Sequence, residues 1–248
     1  MHAHFGTEGY KLVDLRKKID IPLVVSFYGV DASYCLQHPC WLARFRPMFK
    51  FADRLIVLCE EVKERFTRLG CPADKICVWN IGIDLDIFPY QKRKPHKGEL
   101  KFLTAARFAE KKGYPILLKA FSILAKKKNG IHLTALGYGP LKRKRSIEQM
   151  VVDLGLKEMV TLIDTTGIED FNQFYSQFLS SHDIYIQASI TAKNGDDEAG
   201  PALTSVYAQA AGLPVITTPF AGVSRSILNN ETGLIARSNS VEDLTEKM

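Results

Sequence analysis

Short apolar runs alternate with longer amphipathic segments over residues 101–235, and this alternation restricts the fold more than any other feature of the 248-residue chain. The apolar runs predict strands at 101–106, 131–136, 160–163, 183–187, 214–217 and 233–235; the segments between them predict helices at 114–127, 140–154, 170–180 and 202–211. Strands that alternate with helices pair in parallel. Residues 98–248 are therefore predicted to form a doubly wound, Rossmann-like α/β domain that binds its ligand beyond the carboxyl ends of the strands.

Residues 1–90 show a shorter version of the same pattern. Three full strands are predicted at 21–27, 54–58 and 75–79, with the end of another at 2–6. This predicts a second Rossmann-like domain that is incomplete and has little core of its own. Residues 91–98, Gln-Lys-Arg-Lys-Pro-His-Lys-Gly, are basic and polar, which predicts an exposed linker between the two domains.

The composition argues against a disordered chain. The chain is 46% hydrophobic and 24% charged, which is ordinary for a globular protein. The net charge of +6 comes partly from short basic runs, which suit nucleic acid or an anionic membrane surface. Because no aromatic-rich nucleic-acid motif accompanies those runs, solvated helix faces are favoured and no nucleic-acid partner is expected. The five cysteines are odd in number and lack metal-type pairing, so reduced, mostly buried thiols in a cytoplasm are predicted.

Two loops that follow predicted strands contain candidate ligand-binding residues. Arg107 and Lys112 flank the loop after the 101–106 strand, where two cations can hold a diphosphate without a metal. Gly137 and Gly139 follow the next strand, although a tight turn explains this glycine pair equally well. No Walker motif, paired metal-ligand histidines or nucleophile elbow is present in the sequence.

A third candidate lies at residues 196–218, which predict a loop, a helix and a buried strand. Pro201 suits the first helical position, and Gly200 lets a ligand approach the backbone just before the helix. A helix N-terminus presents free N–H groups and partial positive charge, which suits a phosphate. Glu198 beside it can accept hydrogen bonds from hydroxyl groups. The alternative is an ordinary helix start with a solvated acid, and this stretch alone does not decide between the two.

The order of these motifs resembles that of a family 4 (group 1) retaining glycosyltransferase of the GT-B fold, and the resemblance covers nearly the whole chain. In the second half the matching segments are 106–113, 136–140, 183–186, 198–215, 220–222 and 232–234. In the first half, residues 2–6, 27–31 and 82–84 resemble the later half of the family's acceptor domain.

The resemblance implies a hexosyl-type transferase of the EC 2.4 class. Such an enzyme moves a sugar, with retention, from a nucleoside diphosphate sugar in the interdomain cleft to a glycan or lipid-linked acceptor. It implies polysaccharide biosynthesis in the cytoplasm, with peripheral contact at the inner membrane face left open. Neither a cofactor nor a metal is implied.

The resemblance also assigns residues to roles. Arg107 and Lys112 would hold the diphosphate, and Glu198 would contact the donor sugar; these three are the predicted catalytic residues. The further donor-binding positions are Gly137, Gly139, Gly200, Pro201, Ala202, Leu203 and Val206. The acceptor-side positions are Tyr28 and Asp31.

Two positions depart from the family pattern. Val206 stands where members have a second glutamate that contacts the nucleotide ribose, and Tyr28 stands where members often have a histidine. The sequence also lacks the glycine-rich loop expected after the family's first strand, and its last helix stops at Met248, so a fragment or a degenerate member is expected. The alternative function is a catalytically incomplete remnant that binds a nucleotide sugar or serves as an interaction module. A GT-B-type sugar-nucleotide epimerase has no specific residue in its favour.

Overall fold

The computed structural model of the chain describes residues 1–93 and 98–248, so residues 94–97 of the predicted linker lie outside the described residues. The chain divides into two units. The first contains Met1–Gly82, Thr191–Pro201 and Phe220–Ser226, and the second contains Ile83–Ile190, Ala202–Pro219 and Ile227–Met248. The predicted domain boundaries were 1–90 and 98–248. They assigned residues 191–201 and 220–226 to the second domain, whereas both segments pack with the first unit through contacts between residues far apart in sequence.

The first unit contains a parallel four-stranded sheet. Its strands are His2–His4 (β1), Val24–Ser26 (β2), Arg54–Val57 (β3) and Ile76–Val78 (β4), in the spatial order β1-β2-β3-β4. Its helices are Gly6–Gly9 (α1), Val13–Lys18 (α2), Tyr34–Gln37 (α3), Pro39–Phe51 (α4) and Glu60–Arg68 (α5). Each strand pairs in parallel with the next along the chain, as alternation with helices predicts.

The core of the first unit is built around three aromatic rings. Phe27 follows β2, and its ring lies 4.6 Å from that of Phe66 and 5.9 Å from that of Phe45, measured between centroids. All three side chains are fully buried, and burying each one stabilises the fold by about 1.5–3 kcal/mol. The prediction that this part has little core is wrong, because α4 and α5 supply large aromatic side chains that short strands alone do not reveal.

The second unit contains a parallel six-stranded sheet. Its strands are Leu100–Ala105 (β5), Ile131–Gly137 (β6), Val160–Asp164 (β7), Ile184–Gln187 (β8), Val215–Thr217 (β9) and Gly233–Ile235 (β10). Its helices are Tyr114–Lys127 (α6), Leu141–Asp153 (α7), Phe171–Ser181 (α8), Leu203–Ala210 (α9) and Val241–Lys247 (α10). The spatial order is β10-β9-β8-β5-β6-β7, so the chain reverses its direction of winding between β5 and β8. The predicted doubly wound fold is confirmed, and such a reversal is where these sheets bind ligands.

The start of α9 differs from the prediction. Pro201 is not the first helical residue: Leu203 is, and Ala202 forms an extended N-cap with φ −72° and ψ 109°. Ala199 forms a parallel bridge with Ala221, which keeps the chain extended up to this point. The helix therefore begins later than the proline alone indicates.

At Arg93 the prediction of an exposed linker is wrong, because the fold holds this side chain in place. Its guanidinium donates to the carbonyl of Leu179 at 2.8 Å and to that of Ala211 at 2.9 Å. These carbonyls lie at the C-terminal ends of α8 and α9, where backbone acceptors lack partners within the helix. Among the described helices, none is long and apolar enough to cross a membrane.

Candidate functional site

The loops after β5 and β6 pack directly against each other in the second unit. The Phe108 amide donates to the Tyr138 carbonyl at 2.7 Å, and the Ala106 amide donates to the Leu136 carbonyl at 2.9 Å. A Cβ atom at Gly137 would lie 2.4 Å from the Ala106 carbonyl oxygen. Only glycine permits this approach, so the glycine pair does more than form a turn.

Two further glycines permit close packing along the same edge of the sheet. A Cβ atom at Gly139 would lie 3.0 Å from the Cβ atom of Phe108. Gly113 has φ +64°, and a Cβ atom there would overlap the Ala188 carbonyl oxygen. Gly113 therefore brings the end of the β5 loop against the residue that follows β8.

The β5 loop presents the two predicted diphosphate ligands. Arg107 is exposed, and within the described part of the chain its side chain makes no hydrogen bond or ion pair. Lys112 is half-buried at the end of a 3₁₀ turn and has an interaction partner of its own. The neighbouring Lys111 carbonyl accepts from the Ile190 amide at 2.8 Å, which ties this loop to the loop after β8. Arg107 is thus available to an anion at the reversal point of the sheet.

The hydroxyl of Tyr185 joins three elements beneath this loop. It lies 2.7 Å from the Thr204 Oγ1 on α9, 3.0 Å from the Gln187 Oε1 on β8 and 3.2 Å from the Ala105 carbonyl of β5. A phenol has a single proton, so these contacts also use the Thr204 hydroxyl as a donor. Tyr175 adds a 2.9 Å hydrogen bond to the Thr204 carbonyl. This network holds the start of α9 against the strand that leads to Arg107.

Sequence reasoning missed Tyr185 and Thr204. Tyr185 lies 80 residues from Ala105 and 19 residues from Thr204, and although Tyr185 and Thr204 lie in segments that match the family, neither segment indicates that their side chains meet. A tyrosine in a buried strand is normally part of the core. Tyr185 is indeed 0% exposed, and a phenol buried this deeply normally finds a hydrogen-bond partner.

The first turn of α9 offers unused donors. The amides of Leu203 and Thr204 donate to no acceptor among the described residues, whereas those of Ser205 and Val206 both donate to the Ala202 carbonyl. Free amides and the helix dipole together favour an anion. Val206 is half-buried, so it is not a fully enclosed core residue. The arrangement in the second unit therefore combines a free guanidinium and a helix start at one edge of a sheet.

The loop that contains Glu198 belongs to the first unit. Arg65 on α5 forms a two-pronged ion pair with Asp197, with N–O distances of 2.8 and 2.7 Å. The Ser33 hydroxyl donates to Asp196 at 2.7 Å, and Gln37 donates to the Gly195 carbonyl at 2.8 Å.

The ion pair and the burial of this loop both restrict its movement. The hydrogen bond to Asp197 raises the pKa of Arg65. Glu198 itself is 8% exposed, so its carboxylate is held in place rather than solvated. A Cβ atom at Gly200 would lie 2.5 Å from the Leu58 Cβ, which explains the glycine there by packing within this unit. Pro201 lies next to it, half-buried.

The predicted acceptor-side residues have unequal surroundings. Asp31 is 0% exposed, and its carboxylate accepts from the amides of Gly6 at 2.9 Å, Gly29 at 2.9 Å and Tyr28 at 3.2 Å. The structure thus gives Asp31 the role of holding the turn after β2, a role that the sequence analysis did not predict. Tyr28 is half-buried, and its hydroxyl lies 2.5 Å from the His4 Nδ1.

The structure separates the predicted site residues into two groups. The second unit contains Arg107, Lys112, Gly137, Gly139, Ala202, Leu203 and Val206. The first unit contains Tyr28, Asp31, Glu198, Gly200 and Pro201. Within residues 1–93 and 98–248, no group of three or more His, Cys, Asp or Glu side chains is arranged to hold a metal ion.

Two family models match the chain. The model for glycosyl transferases group 1 matches residues 88–248, and the model for glycosyltransferase family 4 matches residues 1–87. The amylovoran biosynthesis glycosyltransferase AmsK of Erwinia amylovora is 28% identical over 246 residues, which cover 98% of this chain and 58% of AmsK. The chain thus spans less than two thirds of the length of that relative.

Solved structures support the fold. The sucrose-phosphate synthase from Thermosynechococcus elongatus matches with a TM-score of 0.80 at 19% identity, over 99% of this chain and 62% of that one. Anabaena HepE, solved in complex with UDP-glucose, matches with a TM-score of 0.78 at 16% identity, over 99% of this chain and 67% of HepE. Both matches extend over 99% of this chain, so they include both units, and the fold agrees with these GT-B-like neighbours. Together with the family models, this agreement shows that the chain belongs to the group 1 glycosyl transferases.

Proposed function

We propose that this chain takes part in transferring a sugar, with retention, from a nucleoside diphosphate sugar to a glycan or lipid-linked acceptor. The observation that supports this most is the convergence of the Arg107 loop and the start of α9 at the reversal point of the six-stranded sheet. The structure of HepE with UDP-glucose adds support, since a protein of similar fold binds this kind of donor.

The diphosphate is the part of the donor that the second unit would bind. Arg107 offers a planar fork of N–H donors that suits phosphate oxygens, and Lys112 adds a second cation. The free amides of Leu203 and Thr204 lie at the positive end of a helix dipole. When the glycosyl–phosphate bond breaks, negative charge grows on the leaving diphosphate, and such fixed donors stabilise that charge in the transition state.

No metal or cofactor is needed in this proposal, because the cations and amides supply the required charge. Retention implies that the acceptor hydroxyl attacks the face of the sugar from which the diphosphate leaves. For Glu198 as a contact of the donor sugar, and for Tyr28 on the acceptor side, the proposal rests on the family resemblance. The naming of AmsK for amylovoran biosynthesis supports a polysaccharide pathway. The placing of the acceptor at the cytoplasmic face of a membrane rests on the family resemblance alone.

Calorimetric titration with UDP-, GDP- and ADP-sugars in EDTA tests the proposal. We expect one of them to bind without a divalent metal and to compete with the free nucleoside diphosphate. If none produces heat, or if binding requires added metal, the proposed donor site is wrong.

Val206 favours a second candidate function, a remnant that binds the nucleotide sugar but no longer transfers it. A valine cannot hydrogen-bond a ribose hydroxyl, and losing such a contact costs about 1–3 kcal/mol. The two functions separate in one assay: an enzyme releases nucleoside diphosphate when donor and acceptor are both present, whereas a remnant binds donor and releases none.

A further inference from the structure

A basic cleft of about 610 Å³ lies in the first unit, and none of the predicted site residues lines it. Its basic lining side chains are Arg16, Lys17, Lys50, Arg54 and Lys75, and its single acidic one is Asp53. Arg54 is the first residue of β3, and Lys75 directly precedes β4. The cleft therefore lies at the amino ends of these strands, the opposite edge from the one where this class of sheet binds its main ligand.

Two of the cations are held in place by the fold. Arg16 forms a fork with Asp53, with Nε–Oδ2 and Nη2–Oδ1 distances of 3.0 and 3.2 Å. The Asp53 Oδ2 also accepts from the Leu23 amide at 2.7 Å. Asp53 is thus occupied by Arg16 and a backbone amide.

Lys75 is fixed in a similar way. Its Nζ donates to the carbonyls of Lys50 at 2.6 Å and Ala52 at 3.0 Å, at the C-terminal end of α4. A lysine ammonium has three protons, so one donor of Lys75 is left for a ligand. Both fixed cations are thereby positioned before any ligand arrives, which reduces the entropy lost on binding.

The other three cations form the rim. The Nζ atoms of Lys17 and Lys50 lie 4.9 and 5.5 Å from the centre of the Phe51 ring. Lys17 also pairs with Asp14 at 2.9 Å, but the Asp14 side chain is 84% exposed, so solvent screens this pair. Arg54 donates one N–H to the Asp53 carbonyl at 2.9 Å.

Asp20 is a further acidic residue beside Arg16. It lies 3.7 Å from Arg16 and is fully solvated. The lining therefore has five basic groups and one acidic group. Because Arg16 and Asp53 neutralise each other, four cations remain in excess in a small volume.

We propose that this cleft is a second anion-binding site that takes a phosphate group, either free or in a lipid headgroup. A single carboxylate is satisfied by one arginine, as Asp53 is by Arg16. Several cations around one cleft instead suit an anion of higher charge whose oxygens accept from several directions. Phosphate has this charge and geometry. The site is independent of the proposed glycosyl transfer.

Calorimetric titration of the full chain with inorganic pyrophosphate at low ionic strength tests the site. In the double variant Lys50→Gln/Arg54→Gln we expect affinity to fall about tenfold. The matched control is Lys126→Gln/Lys127→Gln, which removes the same charge from exposed positions on α6. All of these titrations are made in the Arg107→Gln background, because pyrophosphate can also bind at the proposed donor site. The α6 control should retain the cleft's binding within about twofold.

Vesicle sedimentation distinguishes the two sources of phosphate. Phosphatidylcholine vesicles with phosphatidic acid should retain the wild-type chain and lose the double variant if the source is a headgroup; pyrophosphate binding alone indicates free phosphate. The proposal is overturned if the chain with the intact cleft binds neither probe. It is also overturned if the α6 control loses as much affinity as the double variant, or if the double variant binds pyrophosphate as the chain with the intact cleft does. Unfolding transitions measured on every variant identify any loss of fold.

Discussion

Replacing Tyr185 with phenylalanine removes one hydroxyl from the junction of β5, β8 and α9. The hydroxyl is buried and has polar contacts at 2.7, 3.0 and 3.2 Å, with Thr204, Gln187 and Ala105 respectively. Each neutral hydrogen bond contributes about 0.5–1.5 kcal/mol, and a buried polar group left without a partner costs about 1–3 kcal/mol. We therefore expect Tyr185→Phe to lower the free energy of unfolding by about 2 kcal/mol.

The assay is urea denaturation followed by circular dichroism, with a parallel thermal melt. A loss of about 2 kcal/mol corresponds to a fall in Tm of roughly 4–8 °C for a chain of this size. Tyr207→Phe is the matched control. Its ring stacks on Phe88 at 4.1 Å, and its hydroxyl has no hydrogen-bond partner among the described residues, so its removal should change stability little.

A double variant tests whether the loss of stability in Tyr185→Phe comes from the contact with Thr204. If Tyr185 acts through Thr204, then Tyr185→Phe combined with Thr204→Val should destabilise the chain by clearly less than the sum of the two single effects. Equal stability of Tyr185→Phe and Tyr207→Phe, or strict additivity with Thr204→Val, would refute the idea that this hydroxyl holds the start of α9.

Arg107→Ala should weaken nucleoside diphosphate binding by about 1.5–3 kcal/mol and more than Lys112→Ala does, because a guanidinium holds phosphate with two donors; equal effects in calorimetry would place the diphosphate elsewhere. Val206→Glu should tighten nucleotide binding about tenfold through a restored ribose contact. An unchanged affinity with a collapsed melt would count against that. Burial lowers the pKa of His182. Below about pH 6.5 the unfolded chain therefore takes a proton that the native chain does not. As the pH is lowered through this range, the free energy of unfolding should fall by at most about 1.4 kcal/mol per pH unit. Denaturation midpoints between about pH 7 and 5 should show this slope reduced in His182→Gln; a slope equal to that of the wild type would contradict it.

Much of the second unit was predictable because its signals are local. A buried parallel strand needs a short apolar run, and a helix such as α6 needs an apolar face and a residue that starts or stops it. The structure reproduces α6 at Tyr114–Lys127, and Gly212 ends the α9 region with φ +85°. The loops that hold Arg107 and Gly137 follow from the strand ends, so they were also predictable.

The first unit was harder to predict because its stability depends on helices whose contribution is not local. Phe45 and Phe66 lie on two different helices and meet at Phe27 after β2. Nothing in a short strand indicates how many aromatic side chains will cover it. The predicted absence of a substantial core failed for that reason.

In the candidate site, too, features set by neighbouring residues were predictable and contacts between distant segments were not. The type and order of the elements, the polar loops after β5 and β6, and the family to which their motifs belong follow from local sequence. The packing of the Glu198 loop in the first unit depends on the three-dimensional fold, because Arg65 binds Asp197 across 132 positions of sequence. The fixing of α9 by Tyr185 depends on that fold as well. Periodicity and turn chemistry depend on neighbours in sequence, whereas a hydrogen bond between distant segments depends on where the whole chain places its ends.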